Sequence, residues 1–263
     1  MRPVKHQFAA VVLAGERPGG SAISQELDLS ANVLVNVAGK SALARVIETL
    51  ETSEMVEGGL LCGPVEEIYR GNEEFRQIIS ASSFQWTAPE SGPSASALAA
   101  LEQLDRFPVL LTTGDHALLS PDVVDFFCRE AMKIDVDVVC GLAPYAIVHA
   151  AYPESKRTVL RFSDGQYCGT NLFAILNRAG KAGPAFWQEL EDQRKRPWRM
   201  VRRLGLGILL RYLFGRLSLD RALVSLSRAV GCRIGYVRIE VALAAVDVDS
   251  VADRDLAEKI LLQ

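Results

Sequence analysis

Phe8 to Leu13 run without a polar break and stop at the turn-forming stretch Gly15 to Gly20. Such a run predicts a strand buried on both faces. Helical spacing follows from Ser41 to Leu50, which sets Leu43, Val46, Ile47 and Leu50 on one face. Gly59 to Cys62 predicts a second strand and Val65 to Ile79 a second helix. After a polar connection, Ser94 to Leu104 reads as a helix and Val109 to Leu111 as a strand entered through Pro108. Pro121 to about Lys133 reads as a helix capped by Ser120, and Val136 to Leu142 as another strand. Parallel neighbours need crossover connections, so this order predicts an α/β fold with a mainly parallel or mixed sheet and helices on both faces.

Beyond Ala143 the pattern loosens. Thr158 to Phe162 and Asn171 to Leu176 are strand candidates around the turn Asp164-Gly165. Helices are expected at Pro184 to Arg194, Pro197 to Phe214 and Leu219 to Val230, then a strand at Arg233 to Ile239 and a last helix at Val251 to Leu262. At roughly 150 residues per domain, 263 residues fit one domain over 1–263 with a helical insertion at about 184–231.

Charges nearly cancel, 29 basic against 32 acidic, which gives the chain no overall field for nucleic acid. The insertion differs: from Arg194 to Arg233 eleven Lys or Arg residues face one acid, Asp220. Leu204, Ile208, Leu209, Tyr212 and Leu213 line one face of its middle helix, and Arg211 interrupts before the stretch is long enough to span a bilayer. Three readings stand for it: packing on the sheet with arginines in solvent, an anionic substrate pocket, or a peripheral membrane contact.

Cys62, Cys128, Cys140, Cys168 and Cys232 form no CxxC pair, and His6, His116 and His149 have no zinc spacing. A reducing cytoplasm is the expected location. Arg2, Lys5 and His6 before the first apolar run imitate a secretory leader, but the run enters Gly15-Glu16-Arg17-Pro18 without a small-residue cleavage site.

In parallel sheets ligands bind beyond the carboxyl ends of strands. Two such places stand out. Leu13-Ala14-Gly15-Glu16-Arg17-Pro18-Gly19-Gly20 is either an anion-binding nest or a plain turn, and it matches neither GxGxxG nor the P-loop. Asp115, directly after a buried strand, either holds a hard cation or satisfies a turn with Ser120. Magnesium there needs a second acid, for which Asp247 and Asp249 are candidates; Asp249, Ser250 and Asp253 also suit a helix start. Trp86 is either a packing residue or a stacking partner for a base.

Taken in order, Val12-Leu13-Ala14-Gly15-Glu16-Arg17, Ala38-Gly39-Lys40-Ser41-Ala42-Leu43, Asp115-His116-Ala117-Leu118, Cys168-Gly169-Thr170-Asn171-Leu172-Phe173 and Asp249-Ser250-Val251-Ala252-Asp253 form a set. It resembles the molybdenum-cofactor guanylyltransferase-like (MobA-like) NTP transferases. The resemblance covers nearly the whole chain and implies a glycosyltransferase-A-like, Rossmann-like fold. It further implies an enzyme that joins an NTP to a phosphorylated small-molecule acceptor with Mg2+ and releases pyrophosphate.

Carried over by residue, the resemblance implies that Leu13, Ala14, Gly15, Glu16 and Arg17 wrap the triphosphate and that Gly92, Pro93, Ser94 and Ser96 line base and ribose. Asp115 holds magnesium with Asp247 or Asp249. Asn171 faces the acceptor, and Lys156, Arg157 or Arg161 meets its phosphate, unless these three are a solvated hairpin face. Two positions depart from the pattern. Asn32 stands where relatives place a triphosphate-binding lysine, and Glu16 where they place the second glycine of the signature. Either Arg17 and Lys40 compensate in catalysis, or the chain is a slow or noncatalytic nucleotide- or phosphate-binding protein.

Overall fold

The computed structural model describes residues 7–16, 20–192 and 205–262. The chain begins with β1 (Phe8–Leu13), α1 (Ala22–Glu26), the hairpin β2 (Asn36–Val37) and β3 (Lys40–Ser41), and α2 (Ala42–Thr52). It continues through β4 (Val56–Cys62), α3 (Glu66–Gly71), α4 (Glu73–Ser80), β5 (Phe84–Thr87), α5 (Pro93–Leu104), β6 (Val109–Thr113) and α6 (Pro121–Ala131). Then come β7 (Val138–Pro144), α7 (Tyr145–Ala151), β8 (Leu160–Phe162) and β9 (Gly165–Ile175). The last part holds α8 (Ala182–Asp192), α9 (Leu206–Leu213), α10 (Leu219–Val230), β10 (Ile234–Arg238) and α11 (Val251–Leu261).

The main sheet has the order β10-β7-β9-β6-β1-β4-β5, with β8 added to β9. β1 is parallel to β4 and β6, β4 to β5, and β7 to β10, whereas β9 runs antiparallel to β6, β7 and β8. The expected α/β fold with a mixed, mostly parallel sheet is therefore what forms. Along β1 successive side chains leave opposite faces of the pleat. Phe8, Ala10 and Val12 join Leu43, Val46, Ile47 and Leu50 of α2 and Phe127 of α6 on one side. Ala9, Val11 and Leu13 meet Ala97, Ala100 and Leu101 of α5 on the other. Both faces of the strand are buried, which is why its sequence is apolar throughout.

Several expected boundaries move. The helix expected over Val65 to Ile79 is two helices, because the Asn72 side chain accepts the Phe75 N–H and starts a new one. The expected strands at Thr158 to Phe162 and Asn171 to Leu176 are a shorter β8 and a longer β9. Of the middle insertion helix, residues 197–204 lie outside the described residues. In α9 Ile208 and Leu209 are half-buried while Tyr212 and Leu213 are exposed, so the expected apolar face is only partly covered.

After β1 the chain crosses over to β4 on one side, and β6 later returns to β1 on the other. The carboxyl ends of β1 and β6 thus lie at a topological switch point, the place where open α/β sheets bind ligands.

Candidate active site

Backbone bonds hold the two strand ends together. Gly114 N donates to Leu13 O at 2.9 Å, and Ala14 N to Cys62 O at 2.8 Å. A Cβ on Gly114 would lie 3.0 Å from Val33 Cγ1 and 3.2 Å from Leu43 Cδ1, close enough that one of these side chains would have to shift. The next residue, Asp115, is carried to the rim of the crevice. Its backbone carbonyl accepts Val248 N at 3.1 Å, which draws Asp247 and Asp249 to the same rim.

Three acids now share one edge. Asp115 Oδ1 is buried without a hydrogen-bond partner. Burial pushes the Asp115 carboxyl up to about 7; the Thr113 hydroxyl opposes this, while the charges of Asp247 and Asp249 add to it. Beside it, burial drives the His116 imidazole below its usual range, so it is neutral. Among the described residues no three His, Cys, Asp or Glu side chains are grouped closely enough to form a metal cage by themselves. Magnesium asks for less, one or two carboxylates completed by phosphate oxygens and water. An orphaned carboxylate oxygen beside two further acids fits that requirement.

The facing wall comes from β9 and the 155–158 loop. Asn171 has φ of 52°, in the left-handed region that asparagine tolerates, near a register shift between β7 and β9. Its Nδ2 donates to Asp247 Oδ2 at 2.9 Å. Arg157, with a side chain only 7% exposed, pairs with Asp247 Oδ1 and, at 2.5 Å, with Asp253 Oδ1. Its Nη1 also reaches the Asp247 carbonyl at 3.2 Å, and its Nε the Ser155 hydroxyl at 2.8 Å. A cleft of about 200 Å³ opens between these groups, lined by Lys156, Arg157, Thr158, Gly169, Asn171, Asp247 and Asp249 among others.

Asp115, Asp247, Asp249, Asn171 and Lys156 are therefore gathered at one place. Other expected residues have different partners. The Lys40 ammonium lies 2.6 Å from Glu48 in an exposed pair on the hairpin and α2, so its charge is spent outside the crevice. The Ser94 hydroxyl donates to Glu191 of α8, and the Ser96 hydroxyl accepts Glu90 N at 2.8 Å. Both serines are buried, and their hydroxyls are engaged within the fold. Arg161 is exposed and reaches Gln166 at 3.4 Å, outside the cleft lining. Trp86 stacks on Tyr69 and donates to Pro64 O, so its ring packs the fold. Arg17 lies outside the described residues.

The two departures from the family pattern touch each other. Glu16 Oε2 accepts the backbone N–H of Asn32 at 2.5 Å, and Asn32 Oδ1 is buried without a partner. Sequence reasoning also missed two things. Arg157 is a clamp on two carboxylates, and no spacing signals a pairing across 90 residues. Thr158 and Gly169 line the cleft; Gly169 at least lies within the Gly169-Thr170-Asn171 motif.

A family model for the MobA-like NTP transferase domain matches residues 10–176, from β1 to the end of β9. The chain belongs to the MobA-like NTP transferase family. A hypothetical transferase from Thermus thermophilus is 24% identical to this MobA-like chain over 94% of it and 99% of the other, with a TM-score of 0.78. A CMP:2-keto-3-deoxy-manno-octonic acid synthetase complexed with CTP superposes with a TM-score of 0.61 at 12% identity, covering 98% of this chain and 99% of its own. A 4-diphosphocytidyl-2C-methyl-D-erythritol synthase from Anaerococcus prevotii gives 0.59 at 11% identity, over 99% and 98%. At these identities the structural likeness is one of fold. No curated protein matches the sequence of this MobA-like transferase significantly. The family match ends before Asp247 and Asp249, so the crevice combines carboxylates from inside and outside the matched region.

Proposed function

We propose that this MobA-like protein transfers an NMP from an NTP to a phosphorylated small-molecule acceptor and releases pyrophosphate, in the cytoplasm. Membership of an NTP transferase family supplies the reaction class. The observation that carries the reading is Asp115: a carboxylate at the switch point, with one oxygen buried and unpartnered, beside Asp247 and Asp249. Arg157 offsets the charge of Asp247, which leaves the unpartnered oxygen of Asp115 for a further cation. The five free thiols are in keeping with a reducing compartment.

In this reading Asp115 with Asp247 or Asp249 holds Mg2+, which when bound neutralises phosphate charge and stabilises the charge that develops in transfer. The backbone of Leu13, Ala14 and Gly15 with Arg17 surrounds the triphosphate, and Gly92-Pro93 at the start of α5 borders base and ribose. Lys156 and Asn171 orient the acceptor so that its phosphate oxygen meets the α-phosphorus in line; the α–β bridge breaks and pyrophosphate departs. Arg157 neutralises Asp247 and fixes the rim, so the acids keep their spacing before a ligand arrives.

One observation favours a second reading, a nucleotide- or phosphate-binding protein without turnover. Glu16 sets an anion in the signature loop and is tied to Asn32, where an ammonium would be expected. Pyrophosphate release from each of the four NTPs with magnesium, against a panel of sugar, polyol and pterin phosphates, separates the two. Release that depends on one nucleotide and one acceptor and is abolished by Asp115→Ala supports transfer. Thermal stabilisation by nucleotide with no release supports the binder, and turnover intact in Asp115→Ala removes the metal site.

A further inference from the structure

We propose that α9 is a docking element that lays this protein on an anionic lipid surface. Leu210, Tyr212, Leu213 and Phe214 form the longest sequence run of exposed large apolar residues among those described, with Leu213 and Phe214 at 68% and 73% exposure. Water meets apolar surface here that a soluble fold normally keeps scattered.

The charge around this run selects the partner. Arg211 stands inside this run and Arg216 two residues after it, both exposed, and the sequence has no acid between Asp192 and Asp220. A second copy of the chain would bring like charges together across the contact, which opposes association. A lipid interface meets both demands: acyl chains receive Leu213 and Phe214 while anionic headgroups receive the guanidiniums. No described helix is long and apolar enough to cross a membrane, so the contact lies along the surface.

The element and the chain that follows it contact the β8–β9 turn. The Tyr212 ring packs edge-on against Phe162 of β8 at 6.0 Å. Ser163 N donates to Leu217 O at 2.8 Å, and the Asp164 carboxylate accepts Leu219 N at 3.0 Å. The β8–β9 turn therefore holds the connection from α9 to α10, and β9 continues from it to the Gly169 and Asn171 wall of the cleft.

The test uses the full chain and needs no turnover, so it stands apart from the proposed reaction. Sedimentation is measured at low salt with vesicles of phosphatidylglycerol and phosphatidylcholine, and with phosphatidylcholine alone. Binding to the mixed vesicles is expected to exceed binding to the neutral ones at least about tenfold and to fall as salt is raised. Leu213→Glu/Phe214→Glu is expected to weaken it by about tenfold or more with unfolding temperature unchanged, since both side chains face solvent. Arg211→Glu/Arg216→Glu should do the same without altering the apolar run. Three results overturn the proposal: no sedimentation with anionic vesicles, equal binding by Leu213→Glu/Phe214→Glu, or a dimer in light scattering that this variant dissociates.

Discussion

Asp115 is the residue on which stability and function pull apart. Its folded pKa, about 7, lies above the ordinary carboxylate value, so the folded chain holds a proton that the unfolded chain has lost between about pH 4 and 7. Stability therefore falls as pH rises through that window, and the cost is fully present above it. Without metal or nucleotide at pH 8, Asp115→Asn is expected to be more stable than wild type by on the order of 1 kcal/mol in urea unfolding. The same variant should lose about 100-fold or more of magnesium-dependent pyrophosphate release. Glu16 and Asn32 call for a paired experiment. A lysine at position 32 would set its ammonium near the Glu16 carboxylate that now accepts Asn32 N. Asn32→Lys alone is expected to raise turnover less than Glu16→Gly/Asn32→Lys, which should gain about tenfold or more. Equal turnover in both variants and wild type would mean that Arg17 or another cation already fills the role.

At the scale of elements, charged side chains fasten strand ends and helix starts. Asp137, just before β7, accepts from the Arg233 side chain and backbone before β10 and from Asn177 after β9. The Arg233 side chain first, then its N–H and Asn177, hold the Asp137 carboxyl down at about 2. Because the folded value lies below the unfolded one, this contribution is present above about pH 4 and is lost as pH falls towards 2. Asp137→Asn should flatten the acid limb of the unfolding curve in that interval and leave the slope above pH 5 unchanged. Arg157 does similar work for α11, whose N-cap Ser250 accepts Asp253 N while Arg157 grips the Asp253 carboxylate. Removing it strands two partly buried acids, so Arg157→Ala is expected to cost about 3 kcal/mol or more in urea unfolding. Magnesium with nucleotide should recover part of that loss if Asp247 contributes to the metal site.

For the whole molecule, a ligand that binds only the folded state stabilises it in proportion to its occupancy. At a hundred times its dissociation constant, the preferred NTP with magnesium should add about 2.7 kcal/mol, a shift of several degrees in a thermal scan. Replacing Asp115 by Ala should remove the magnesium-dependent part of that shift. The molecule-wide arrangement was largely legible beforehand, because the run Phe8 to Leu13 and the helices after Ser41, Ser94 and Ser120 carry periodicities much longer than a turn. Short pieces were not. The hairpin β2–β3, α1, α7 and the four-residue β5 are too brief for pattern to mark them, and they form because neighbours bury them. β9 read as a fragment because Gly169, Thr170 and the left-handed Asn171 break its alternation at the bend that builds the cleft wall.

The sequence alone determined the alternation of strand and helix, the two buried faces of β1, and the delivery of Gly15, Glu16, Gly114 and Asp115 to strand ends. Those properties follow from side-chain period and turn chemistry within a few residues of each position. Only the tertiary structure decided which charged groups find partners and which do not: Arg157 taken by Asp247 and Asp253, Lys40 by Glu48, the Glu16 carboxylate by the Asn32 N–H, with one buried oxygen of Asp115 unpartnered. Arg157 and Asp247 are 90 residues apart in the chain. Electrostatic pairing depends on distance and burial after packing, and neither is written in local spacing.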